Sequence, residues 1–227
     1  MKRTFFTELA YVLGIVILAI GTAFMEKADL GMSMVVAPAY LLHLKISEYS
    51  PAFSFGMAEY TLQAVLLLAL IIILRKFKKS YLFSFVTAVI YGLTLDGAML
   101  VVAPLPCDEW WLRILFYALG MVLGAMGISL FFHTYILPEV YELFVKEIAA
   151  KLQVDISRVK TIYDCMSCLV SIIMSFAFFG LWNFEGINLG TIVSAALNGF
   201  LIGRMTAIFE KIFEFKDGLP FRKYFEN

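Results

Sequence analysis

The chain has 227 residues, 62% of them hydrophobic and 16% charged, with 22 phenylalanines and a mean hydropathy of +0.87. A water-soluble domain is nearer half apolar and about a quarter charged, so composition excludes an ordinary soluble domain. Formal net charge is zero, which by itself excludes no partner; the placement of the charges carries the information.

Lys2 and Arg3 precede a first apolar run, Phe5–Met25. A basic start and an apolar stretch also describe a cleaved signal peptide, but no small-x-small site follows, so the run is expected to be retained. The connection from Glu26 to Gly56 contains Leu30-Gly-Met-Ser-Met-Val-Val-Ala-Pro38, a Gly and Pro break before a short apolar segment. Met57–Leu74 is the second run and carries Glu59 and Gln63, four apart and so on one helical face. The basic stretch Arg75-Lys76-Phe77-Lys78-Lys79 leads to the third run, Tyr81–Leu105, which holds Tyr91, Gly92 and Asp96.

After Cys107, Asp108 and Glu109 comes the fourth run, Trp110–Phe132. A second broken connection, His133 to Lys160, includes Leu137-Pro138-Glu139-Val140-Tyr141-Glu142. The fifth run, Thr161–Leu181, holds Asp164 and Cys165-Met-Ser-Cys168; the sixth, Ile187–Ile212, holds Asn198 and Arg204. Runs of roughly 20 apolar residues read as membrane-spanning helices, and none alternates as a barrel strand would. The expected fold is an all-α integral membrane protein with six transmembrane helices.

Lys and Arg cluster before the first span, between the second and third, between the fourth and fifth (Lys146, Lys151, Arg158, Lys160), and after the sixth (Lys211, Lys216, Arg222, Lys223). The intervening connections hold mostly acids, including Glu26, Asp29, Glu48, Asp108, Glu109 and Glu185. The positive-inside rule then places both termini in the cytoplasm.

Two stretches of the chain occur twice. Tyr11-Val-Leu-Gly-Ile-Val-Ile-Leu-Ala-Ile-Gly21 is echoed by Tyr117-Ala-Leu-Gly-Met-Val-Leu-Gly-Ala-Met-Gly127, and Ser84-Phe-Val-Thr-Ala-Val-Ile-Tyr-Gly92 by Thr191-Ile-Val-Ser-Ala-Ala-Leu-Asn-Gly199. Each copy would hold three spans, one half over about 5–105 and the other over about 110–213, followed by a cytoplasmic tail, 214–227. An odd number of crossings inverts the second copy, giving a 3+3 inverted-topology repeat in a single membrane domain. The short segments around Pro38 and Pro138 cannot span; they are either re-entrant or amphipathic helices on opposite surfaces.

Ala28-Asp-Leu-Gly31, Leu137-Pro-Glu-Val-Tyr141, Val159-Lys-Thr-Ile-Tyr-Asp164 and Gly190-Thr-Ile-Val-Ser-Ala-Ala-Leu-Asn-Gly199 resemble the YitT/YczE-type bacterial membrane proteins. The resemblance covers most of the chain. It implies a multi-pass protein of the bacterial plasma (inner) membrane, of a group usually described as transporters without an assigned substrate.

Ionisable groups inside spans are costly, so each is a candidate for function. The substrate- or ion-binding candidates are Asp96, Asp164, Asn198, Tyr91, Tyr141, Glu139, Arg204, Glu59 and Gln63. Plain alternatives are a structural acid for Asp96, snorkelling for Arg204, interface positions for Asp164 and Glu59, and helix-packing contacts for Asn198. A cavity touching both repeats is expected, with Pro38 and Pro138 at its margins and Gly92 and Gly199 allowing close backbone approach. Asp96 and Asp164 are expected to serve coupling more than folding. Phosphate loops, zinc spacings and nucleophile turns do not occur, and Cys165 with Cys168 lacks any accompanying redox motif, so neither catalysis nor a cofactor or metal is expected.

The expected function is a secondary transporter or uniporter for a small polar or amphipathic solute, with a midplane site. A channel or a non-transporting scaffold or regulatory protein is the alternative, and a membrane-embedded enzyme is less favoured. Membrane lipid and a small-molecule or ion substrate are the expected partners, a homo-oligomer is possible, and nucleic acid is not expected.

Overall fold

The computed structural model describes residues 2–154, 156–181, 187–220 and 222. In chain order these form β1 (Arg3–Phe6), α1 (Thr7–Ala28), α2 (Ala37–Ser47), α3 (Phe55–Leu74), α4 (Ser80–Val102), α5 (Trp110–Phe131), α6 (Val140–Leu152), α7 (Ile156–Phe179), α8 (Leu189–Ile212) and β2 (Phe213–Lys216). Glu185 and Lys223, counted above for the placement of charge, lie outside the described residues.

Among the described residues six helices are long and apolar enough to cross a membrane: α1, α3, most of α4, α5, most of α7, and α8. The protein is thus an all-helical, multi-pass membrane protein. The outward faces of α7 and α8 carry Ile162, Leu169, Ile173, Ile192, Leu197 and Phe200, all exposed, as lipid-facing positions require.

Local signals set the helix ends. Ser54 caps α3, its Oγ accepting from Met57 N at 3.1 Å. Pro38 opens α2, where its missing N–H costs nothing. Asp29, Arg75 and Gln153 end α1, α3 and α6 in the left-handed region. Gly31, at φ +106, turns the chain out of α1 so closely against α8 that an added Cβ would lie 2.6 Å from Thr191 Oγ1.

The central pairing is between α1 and α5, which cross through glycine. Gly14 meets Gly127 and Gly21 meets Gly120 and Gly124, backbone against backbone, the close approach that small residues allow in a membrane. Here α4 packs on α1 and α8 on α5. The two short helices fill the remaining corners: α2 lies against α3 and α7, and α6 against the same two.

The first span was expected from Phe5, but its first residues are a strand. β1 pairs in parallel with β2, Arg3 opposite Phe213 and Phe6 opposite Lys216. The Phe5 ring lies tilted 4.9 Å from Phe213 and edge-on 5.6 Å from Phe215, and Glu8 accepts from Gly218 N and Leu219 N. Apolar rings that would have extended the helix instead zip the two ends together. The pairing brings the start of α1 beside the end of α8.

Candidate functional site

α3 presents Glu59 and Gln63 on one face, and both are fully buried. The chain entering α6 is laid against them. Val140 N donates to Gln63 Oε1 at 2.9 Å, fixing the amide so that Gln63 Nε2 points to Glu139 Oε2 at 2.7 Å and to Glu59 Oε2 at 3.5 Å. Tyr141 OH donates to the same Glu59 Oε2 at 2.9 Å. The other oxygen, Glu59 Oε1, is buried without a hydrogen-bond partner among the described residues.

Gln63 lies eight residues past Phe55, the first residue of α3, about 12 Å along the helix at 1.5 Å per residue. The far end of α6 reaches the end of α3, where Lys151 Nζ donates to Ile73 O at 2.5 Å. So α6 runs beside the second half of α3 and begins at mid-depth. α2 is placed likewise beside α7: its C-terminal Lys45 stands 5.8 Å over the ring of Phe179, the last residue of α7.

Between these elements lies a cavity of about 640 Å³. Its apolar wall includes Leu18 and Met25 of α1, Val35 and Val36 ahead of α2, and Met121 and Ile128 of α5. Its polar wall includes Tyr91, Glu139, Tyr141, Asp164 and Asn198, with Lys146 and Lys160 also lining it. Tyr91 is 1% exposed and its hydroxyl shares a 2.9 Å hydrogen bond with Thr22 Oγ1. Lys160 Nζ pairs with Asp164 Oδ1 at 3.2 Å.

Burial holds the Glu139 carboxyl well above the usual carboxylate range, and the neighbouring Glu142 and Glu59 push the same way. Among the described residues no lysine or arginine forms an ion pair with Glu59 or Glu139, and no group of three His, Cys, Asp or Glu side chains could hold a metal ion. Cys107, Cys165 and Cys168 are free thiols.

The structure thus brings Glu59, Gln63, Glu139 and Tyr141 into one cluster and sets Tyr91, Asp164 and Asn198 on the cavity wall. Asp96 is elsewhere. Its Oδ2 accepts from Ser54 Oγ at 2.5 Å and its Oδ1 from Gly56 N at 2.8 Å, tying α4 to the head of α3. Arg204 is exposed, 5.4 Å over the ring of Phe200, and does not line the cavity. Pro138 lines it, whereas Pro38 is buried one residue inside α2. Gly92 packs against Gly56, but nothing lies within 4 Å of a Cβ placed on Gly199, which faces the cavity instead. The reason is that α4 packs along α3 while α8 packs chiefly on α5. Thr22, Lys146 and Lys160 were not among the site candidates read from the sequence; a hydroxyl one residue past a repeated glycine was the available signal for Thr22.

Asp96→Asn should therefore act on stability. Removing the charge from an acceptor of two hydrogen bonds is expected to cost about 1–3 kcal/mol. Thermal unfolding of the purified variant checks this; an unchanged midpoint would mean that α3 does not depend on the carboxylate.

A family model matches residues 5–207, and the chain belongs to that family, described as a family of unknown function (DUF6198). No curated protein and no solved structure matches the chain.

Proposed function

We propose that this family member is a secondary transporter or uniporter for a small amphipathic solute, made of two inverted halves around one site. The observation that carries the reading is the cavity, which is walled by residues from both copies of the repeat and headed by a buried polar cluster. Its volume falls in the range of small-molecule sites, about 300–1,000 Å³.

Inversion is supported by contacts that map onto one another when the copies are exchanged. Gly14 with Gly127 becomes Gly120 with Gly21. The Tyr11 hydroxyl bond to Thr87, at 2.8 Å, becomes Tyr117 facing Ser194. The loop after α1 is tied to α8 through Leu30 O and Gly190 N, and the loop after α5 to α4 through Leu137 O and Thr87 Oγ1. The heads of α2 and α6 meeting the cavity favour re-entrant segments, since transporters of this construction frame their sites with interrupted helices. The resemblance to YitT/YczE-type proteins and the basic clusters favour a bacterial plasma membrane with both termini cytoplasmic.

A ligand-stabilisation screen of small amphipathic amines, zwitterions and acids on the purified protein tests the reading. A solute held at one hundred times its dissociation constant should stabilise the native state by about 2.7 kcal/mol. A library that leaves the unfolding midpoint unmoved would argue against a solute site.

A further inference from the structure

We propose that Glu59 and Glu139, bridged by the Gln63 amide, form a proton-binding site at the head of the cavity, and that the proton is the coupling ion. The second half of this rests on the transporter reading; the first rests on geometry alone.

Two carboxylates converge on one amide, with Gln63 Nε2 donating toward both. The amide cannot turn round, because its oxygen is held by Val140 N. One oxygen of Glu59 takes the Tyr141 hydroxyl, and the other has no partner among the described residues although the side chain is 0% exposed. A bare carboxylate oxygen shut away from water is the costly arrangement, and a proton on Glu59 Oε1 removes the charge that makes it so.

The chemistry favours a proton over a metal cation. Hard cations gather six or more oxygens, whereas here the bridging group presents its N–H face to the carboxylates and would repel a metal ion. The titratable groups around the pair leave the assignment intact. Tyr11 of α1, Tyr91 of α4, Tyr141 and Glu142 of α6 and Tyr163 of α7 face it, and none is a cation. Asp96 of α4 is occupied at the head of α3, and His43 of α2 at Phe53 O. On α6, Glu147 pairs with Lys78 and Lys151 bonds Ile73 O at the opposite end; Lys160 is taken by Asp164. Lys146 lines the cavity. Burial holds the Glu139 carboxyl toward its neutral form.

The position suits coupling. Glu139 lines the cavity while Glu59 stands behind it, out of the lining and reached through Gln63. A solute entering the cavity meets Glu139, the cavity-lining member of the pair.

Infrared difference spectroscopy of the full-length purified protein, between roughly pH 5 and pH 10, reads the proton directly without any solute. The expected result is a neutral-carboxyl C=O band, shifted in D₂O, that disappears only in the alkaline range. Glu59→Gln and Glu139→Gln should each abolish that alkaline titration, and Glu139→Asp should retain it. Gln keeps the size and one acceptor oxygen of Glu, and unfolding midpoints identify any variant that misfolds; if one does, the other decides. Three results would overturn the proposal: no such band in the wild type, a band identical in wild type and both Gln variants, or its loss on adding sodium chloride at constant pH, which would make this a sodium site. Absence of the band strikes the proton site alone, whereas failure of the solute screen strikes the transporter reading alone.

Discussion

Gly21→Val and Gly127→Val are each expected to destabilise the protein by about 3 kcal/mol, near the upper end of what overpacking costs. A Cβ on Gly21 would lie 2.7 Å from Gly124 N and 2.8 Å from Gly120 O, and one on Gly127 would lie 2.8 Å from Gly14 O and Leu18 N. These obstacles are backbone atoms of a facing helix, which cannot swing aside as a side-chain tip can. Separating α1 from α5 also parts the apolar cavity walls that the two helices supply, so the damage spreads from the crossing to the site. Gly97→Ala is the control, since nothing lies within 4 Å of its Cβ and a surface change is usually within about 0.5 kcal/mol. Unfolding midpoints and elution profiles of the three variants measure the difference. Valine variants as stable as Gly97→Ala would mean that the helices do not cross this tightly.

Gly199→Trp should give the opposite combination, a folded protein without a working site. Gly199 faces the cavity with open space where its Cβ would stand, so an indole enters the cavity without displacing backbone. Binding of any solute found by stabilisation should weaken at least about tenfold, equivalent to roughly 1.4 kcal/mol, while the unliganded midpoint stays near wild type. Undiminished binding would place the solute elsewhere.

The spans were legible because continuous apolar runs have few other uses, and the helix ends fell within a few residues of the sequence reading. α2 and α6 were legible as interruptions, since Gly31, Pro38 and Pro138 break apolar stretches that are otherwise helical. The β1–β2 pairing was not, because Phe5 and Phe6 are as apolar as the helix they precede and their partners lie at the other end of the chain. The same distinction separates parts of the site. Glu59 and Gln63 share a face by local spacing, but their union with Glu139 depends on how α6 is laid along α3. Asp96 was read as a candidate coupling acid because its depth in the span is visible in sequence, whereas the Ser54 and Gly56 groups that occupy it are not. Repeat symmetry suggested equal roles for Gly92 and Gly199, and unequal packing of α4 and α8 separates them.

The most direct test of the central claim is counterflow in sealed vesicles containing the purified protein, using the solute that stabilises it best. Vesicles preloaded with unlabelled solute should accumulate labelled solute transiently, with a rate that saturates as external concentration rises, and Gly199→Trp vesicles should not. Flux that rises linearly without saturation would make the cavity a channel, and labelled solute entering no faster than in protein-free vesicles would contradict the transporter account.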